Sequence, residues 1–495
     1  MSLDGALSIA GSGLRNVQQQ LDIVSQNVAN AGTAGYARES VATQSLTAAG
    51  TGFGVRTGPA LREIDVALQT AAFQQQGDLA REQTMQTALT AIDATQGTTG
   101  AGGDLASGLG GLTDAFTALG AQPSSAAQQA VVVSAAQTLA RGVNTLAGAY
   151  RAGQQTAQDG LVADAAKLNT ALAAIGTLST QITAGRAAGR STADLESQRD
   201  GQEQSTVQLA GLRFIAQPTG DVLAVVGSAL VDLRSAVANA PAGPFTIASA
   251  TMGAGLAGPP LLLYGQNVSA QVTTGSMGAN LALRNVTLPL AQAGIDLFAK
   301  TLSNRFDDQG LRLFTDPAGN PPSPTGTNAA ASDVGYAAVM QVNPAVLAQP
   351  ASVRDGTAVS SGGQVPNPVG GPAGFTGLVG RITGRALGAA VPPPSSGLGA
   401  SGMLALPYPP SSTLAGFAAN LLAMQSQASA GSKANLDIAQ VLQTTLQARV
   451  QDTSGVNVDT ELSSMISLQN SYGANAKIIT AVQQMFTQLL NAVTA

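Results

Sequence analysis

Histidine, cysteine and tryptophan are all absent from the 495-residue chain. Their absence excludes Ser-His-Asp triads, thiol nucleophiles, imidazole general bases and zinc sites built from Cys and His. It also excludes disulfides, which is compatible with export and with the cytosol alike. Charge is scarce too: Asp, Glu, Lys and Arg make up 10% of the residues, against about 25% in an ordinary globular chain. Aromatic residues are only 3% and the formal net charge is −5, so no basic face offers itself to nucleic acid or anionic lipid. No run of about 18 apolar residues stands out as a membrane span. The start, Met1-Ser2-Leu3-Asp4, lacks the basic segment and apolar run of a cleaved signal peptide. The sequence therefore predicts no catalytic, cofactor-binding or metal-ligating residues and no nucleic-acid or membrane partner.

What the chain does contain is a heptad pattern at each end. Leu7, Leu14, Leu21 and Val28 recur with a seven-residue period, and Ala10, Val17, Val24 and Ala31 follow three positions after each. Near the C-terminus Val458, Met465, Tyr472, Ile479, Phe486 and Val493 keep the same period, with Leu468, Val482 and Leu489 in companion positions. A period of 3.5 puts such residues on one stripe of a helix, which must be covered by another helix. The two ends are expected to pair with each other or with neighbouring copies. The candidate assembly interface is Leu7, Leu14, Leu21, Val28, Met465, Leu468, Tyr472, Ile479, Val482, Phe486, Leu489 and Val493.

Between the ends the pattern predicts helices over about 3–30, 61–96, 104–119, 124–184, 193–209, 289–307 and 414–450. The fourth of these has weak points at Gly142, Gly148, Gly153, Gly160 and Gly176. Residues 36–58 read as extended. From Leu212 the texture turns to strands and turns, and from Leu313 to Pro410 it becomes Pro- and Gly-rich, with a short strand expected over 337–342. The expected fold class is α+β: an elongated multidomain chain with paired terminal coiled-coil helices, a long-helix bundle and a β-rich middle domain. The terminal assembly domain takes 1–58 with 455–495. The helical bundle takes 59–211 with 276–310 and 413–454. The β-rich domain, expected to face outward and to pack little in its Pro-rich part, takes 212–275 with 311–412.

Isolated motifs add little chemistry. Gly253-Ala254-Gly255-Leu256-Ala257-Gly258 fits a phosphate-binding glycine pattern by letter, but Pro259-Pro260 follows where a helix N-terminus is needed. Asp307-Asp308 and Asp316 lack the spacing of a calcium loop and read as solvated helix-end carboxylates.

Residues 2–38, SLDGALSIAGSGLRNVQQQLDIVSQNVANAGTAGYAR, resemble the N-terminal signature of bacterial flagellar axial proteins. The segment from Gly455 to Val493 is similar to their C-terminal signature. Within that superfamily, Gly35-Tyr36-Ala37-Arg38, the DLESQRD stretch from Asp194 to Asp200 and the segment from Thr274 to Phe306 resemble the hook-associated protein 1 family rather than hook or rod subunits. The family often has Gln-His near Asp307-Asp308, and this chain does not. The resemblance implies a structural, non-enzymatic subunit of the extracellular flagellum, at the junction of hook and filament, exported without signal cleavage. It implies as partners further copies of the chain, the hook protein, the next hook-associated protein and a cytoplasmic export chaperone on the C-terminal helix. Other readings are a hook or distal-rod subunit, an adhesin-like secreted protein, and an enzyme with its site hidden in 212–410.

Overall fold

A computed structural model describes residues 3–33, 35–48, 51–96, 104–240, 242–323, 333–357, 366–388, 395–406 and 413–494. The fold is α+β and 66% helical, with long C-terminal helices and a few small sheets. Helix α1 (Leu3–Asn30) stops ahead of Gly32 and Gly35, where the sequence places its end. An antiparallel hairpin of β1 (Glu39–Ala48) and β2 (Thr51–Arg62) follows, with Glu39 opposite Arg62. The hairpin lies along α1. The Ser12 hydroxyl donates to the Ile9 carbonyl and accepts from the Val55 amide at 3.1 Å, and Thr57 donates to Asn16 at 3.2 Å. Gly54 makes this approach possible: its φ is +122°, and a Cβ there would lie 2.3 Å from the Ser12 hydroxyl.

The helical body begins with α2 (Val66–Gln96), α3 (Leu105–Ala121), α4 (Ala126–Ala187) and α5 (Ala193–Ala210). Asp104 caps α3 by accepting from the Ser107 amide at 2.7 Å, and Ser125 caps α4 through the Gln128 amide. Helix α4 passes unbroken through all five glycines read as weak points, because tertiary packing outweighs helix propensity. At several of them another element closes in: a Cβ at Gly160 would lie 2.7 Å from Asn280, and one at Gly176 would lie 2.6 Å from the Leu233 carbonyl. One window of α4 is apolar enough by length and composition to cross a membrane, unlike the sequence expectation, but half of that window is buried inside the protein. It is a core helix by its packing against its neighbours.

A sheet of β3 (Arg213–Ala216), β4 (Val222–Val226) and β5 (Ala229–Val231) comes next, antiparallel throughout. After α6 (Leu233–Ala238) a second small sheet joins β6 (Phe245–Thr246), β7 (Leu262–Leu263) and β8 (Gln266–Asn267). These strands, with α7 (Gly275–Ala282) and the C-terminal half of α4, enclose one hydrophobic core around Leu168, Leu172, Ala224, Phe245 and Met277.

Helix α8 (Leu288–Asp308) is the axis of the second, larger core, and every residue from Ala291 to Asp307 is buried. Phe306 meets Phe116 at 5.7 Å and Phe314 at 5.8 Å between ring centroids. Burial all round obliges its polar side chains to find partners. Asp296 accepts from the Gly335 and Ala337 amides at 2.8 and 2.9 Å, Lys300 pairs with Asp333 at 3.0 Å, and Ser303 meets the Tyr336 hydroxyl at 2.8 Å. Asp307, expected to be solvated, is 2% exposed and pairs with Arg312 at 3.1 Å.

The stretch from 311 to 406 differs from its reading as a β-rich outward layer. Among the described residues it contributes β9 (Phe314–Thr315), α9 (Tyr336–Val339), β10 (Gln341–Val342), α10 (Pro344–Ala348), α11 (Ser352–Asp355), α12 (Gly377–Arg381), a π-helical turn (Ile382–Leu387), β11 (Ser396–Leu398) and β12 (Leu404–Ala405). Of the strand expected over 337–342, Gln341–Val342 forms one as β10, while 337–339 belong to α9. Closely spaced Pro and Gly forbid long ladders, yet Val353, Leu378, Ile382, Ala386 and Leu398 are wholly buried in the main core. Positions 358–365 and the Pro-rich positions 389–394 and 407–412 lie outside the described residues.

Helix α13 (Leu414–Ser454) returns along α2. Gln425 donates to Asp93 at 3.0 Å, and Gln75 donates to the Ala439 carbonyl at 3.2 Å, so the two run antiparallel. Helix α14 (Val458–Thr494) closes the chain.

A buried charge cluster joins the hairpin to this body. Arg62, at the end of β2, contacts Asp200 of α5 at 2.5 Å, and Gln69 of α2 donates to the same carboxylate oxygen at 2.6 Å. Arg199 donates to the Gly220 carbonyl at 2.7 Å and sits 3.1 Å from Glu203. Burial, then the Asp200 charge, push the Glu203 carboxyl up to about 8, outweighing Arg199. A folded-state pKa raised above that of the unfolded chain favours the protonated acid. Stability is therefore present below about pH 4.5 and falls as pH rises toward 8. Glu203→Gln is expected to change the melting temperature little at pH 5 and to stabilise the protein by roughly 2–4 kcal/mol at pH 9. Thermal unfolding of both proteins across that range checks it, and parallel pH profiles would exclude Glu203 as the source.

Candidate assembly interface

The ends of the chain lie against each other as an antiparallel helix pair. Gly13 of α1 faces Asn475 of α14, where a Cβ would come within 3.1 Å of the amide oxygen, and Asn27 donates to Glu461 at 3.3 Å. The two contacts are equally spaced on both helices, which fixes the register.

The side chains turned inward are the small ones. Ala10, Val17 and Val24 on α1 are buried, as is Val482 on α14. The larger heptad residues flank this seam: Leu14, Leu21, Val28, Met465, Leu468 and Ile479 are half-buried, and Leu7, Tyr472, Phe486 and Leu489 are exposed. Val493 lies in α14, but its side chain is outside the described residues. Small residues at the centre let the helix axes approach closely, while each row of large side chains is left covered on one side only. In the antiparallel register α14 also outruns α1. Leu3 falls level with Met485, and Leu489 and Leu490 beyond it are 58% and 68% exposed.

A polar knot closes the other end of the pair. Asn27 is 1% exposed and Glu461 is fully buried. The Asn27 amide oxygen accepts from the Glu39 amide at 2.9 Å and the Tyr36 hydroxyl at 3.0 Å, while its nitrogen also donates to the Glu39 carbonyl. Arg38 contacts Glu461 at 2.6 Å and Glu63 at 2.7 Å, and its backbone amide donates to the Ser454 carbonyl at 2.8 Å. One guanidinium thus ties together the loop after α1, the end of β2 and the start of α14. The hydrogen bond to Glu461 raises Arg38 above its usual range, and burial followed by the Glu39 charge pushes Tyr36 up to about 12. Both groups hold fixed charge states near neutral pH, so the knot is structural in its chemistry. Tyr36 and Arg38 were visible in the Gly-Tyr-Ala-Arg stretch. Asn27 and Glu461 were not: a lone amide beside heptad Val28 and an acid in a first helical turn look like surface residues.

No group of three or more metal-ligating side chains occurs among the described residues. The glycine pattern 253–258 lies in a loop with no helix after it, and Lys477 is exposed.

Comparison with known proteins follows the same layout. A family described as "Flagella basal body rod protein" matches residues 7–36, nearly all of α1. One described as "Flagellar hook-associated protein FlgK helical domain" matches residues 89–319, from the end of α2 past α8. One described as "Flagellar basal body rod FlgEFG protein C-terminal" matches residues 449–492, essentially α14. No curated protein matches the chain. Among solved structures, the flagellar hook junction protein FlgK from Burkholderia pseudomallei is similar at 20% identity and a TM-score of 0.40, over 52% of this chain and 46% of its own. The chain thus spans about half the length of that protein. With an axial-protein segment at each end and a match to the FlgK helical domain between them, the chain is similar in layout to the FlgK-type flagellar hook-associated proteins.

Proposed function

We propose that this protein is a structural subunit of the flagellar axis, which polymerises on the hook tip at the hook–filament junction and allows the filament to assemble. The observation that carries the reading is the half-covered seam. Helices α1 and α14 cover each other's small residues and leave Leu7, Tyr472, Phe486 and Leu489 open. An isolated chain gains nothing from an apolar row turned to water, whereas a head-to-tail array of copies covers it. The candidate interface residues named from the heptads are those that would meet the neighbouring copies. A hook or distal-rod subunit, the nearest alternative, would not account for the FlgK helical domain at 89–319.

The same reading assigns the partners. Copies of the chain lie beside one another, the hook protein lies below and the next hook-associated protein above. The overhanging end of α14 takes a cytoplasmic export chaperone before assembly, and the chain leaves the cell through the flagellar export channel. The role is mechanical, not catalytic.

Ile479 is half-buried on the heptad stripe and Thr480 beside it is exposed. A carboxylate at Ile479 must be desolvated when a copy docks, at a cost of several kcal/mol, while one at Thr480 costs well under about 1 kcal/mol. Cells carrying Ile479→Asp are expected to make hooks with few or no filaments, and Thr480→Asp cells to make normal flagella, with both proteins exported. Electron microscopy reads the outcome, and full filaments with Ile479→Asp would remove this stripe from the polymer contact.

Glu461→Ala should act on the pair itself. It strips Arg38 and Asn27 of a buried partner, a loss typically worth about 3–5 kcal/mol, in a region that contributes no residue to either hydrophobic core. Limited proteolysis is expected to cut α1 and α14 several-fold faster than in the wild type while the main thermal transition stays in place. An unchanged cleavage rate would mean the knot does not hold the ends together.

A further inference from the structure

Arg284 is 2% exposed, yet it has no carboxylate partner. It lies in the π-helical turn Leu283–Thr287 between α7 and α8, a distortion often found where a helix shapes a site. Its Nε donates to the Asn285 side chain at 2.8 Å and its Nη1 donates to the Gln158 amide oxygen, both neutral. None of the ion pairs among the described residues includes it, and the stretches outside them contain no Asp or Glu. A buried cation held only by amides is costly unless an anion joins it.

The surroundings are shaped around that guanidinium. Gly258, last of the 253–258 glycine loop, lies over it so closely that a Cβ would stand 2.4 Å from Nε. Beside it opens a cavity of about 400 Å³, room for a ligand the size of one sugar ring. A second unmet group is on its wall: the buried Gln292 amide oxygen receives no hydrogen bond, although its nitrogen donates to Asp296 at 3.1 Å. Asp296 and Asp333 line the same cavity and are already engaged, the first by the Gly335 and Ala337 amides and the second by Lys300.

From a cation without an anion and an acceptor without a donor in one cavity, we propose that this site binds a small hydroxylated monocarboxylate, such as a sugar acid. Arg284 takes the carboxylate, and the ligand hydroxyls donate to Gln292 and to the acidic wall. A dianion is disfavoured by Asp296 and Asp333, and a simple inorganic anion satisfies only Arg284. Desolvation lowers the pKa of Arg284, which fits a cation awaiting its counter-charge.

The test uses the full chain and D-glucuronate as probe, followed by calorimetry or ligand-observed NMR, with D-glucose and inorganic phosphate as controls. Saturable glucuronate binding is expected, with each control at least tenfold weaker, and Arg284→Met should abolish it. Arg284→Met removes a core side chain, so a second variant, Ala400→Phe, plugs the mouth from an exposed position and leaves Arg284 in place. It should lose binding at least tenfold while melting as the wild type does. No saturable glucuronate binding, equal binding of glucose or phosphate, or undiminished binding in folded Ala400→Phe would each overturn the proposal.

Discussion

Helices α1 and α14 each carry an apolar stripe, and in one chain each has the other as its cover. This pairing constrains the whole architecture, because it returns the C-terminus to the N-terminus after more than 400 intervening residues. The chain must leave along one helix and come back along another. It does so twice, α1 beside α14 and α2 beside α13, with both pairs antiparallel. Everything from α3 to β12 is a long excursion between the outgoing and returning helices. The Arg38 knot sits where one pair passes into the other, and Arg62 with Asp200 fixes the hairpin to the body there.

The second organising element is α8. A helix buried on every side cannot rely on an amphipathic pattern, and here Asp296, Lys300, Ser303, Asn304 and Asp307 are each matched with groups from the irregular stretch after it. That matching explains how a Pro- and Gly-rich segment becomes part of a core. Backbone amides of Gly335 and Ala337 have no ladder to join, and the Asp296 carboxylate supplies their acceptor.

Much of the helical skeleton was legible in the sequence. α1 coincides with its expected span, and α5 and α8 agree within a residue or two, because heptads, caps and glycine stops act locally. α2 starts at Val66 and not at Leu61, because β2 pairs with β1 as far as Arg62, a non-local demand. The inward face of the terminal pair was only half legible. Period marks the stripe, but which edge faces the partner depends on how closely the axes approach, and the small residues Ala10, Val17 and Val24 decided that. The stretch after Leu313 was misread because composition reports the frequency of Pro and Gly and not where Leu378 or Ile382 will point. The buried partners Asn27 and Glu461 were hidden for the same reason: each is polar by letter and acquires its role only from a residue far away along the chain.

The unequal lengths of the terminal helices have a geometric consequence. With Leu3 level with Met485, the last turns of α14 project past the start of α1, a step of about 13 Å at 1.5 Å per residue. A subunit ended by such a step cannot stack flush on an identical one. Any body seated against it must either offer a recess of that depth or shift along the axis by the same amount. In the array proposed above, the offset between neighbouring copies would have to accommodate that difference between two helix lengths.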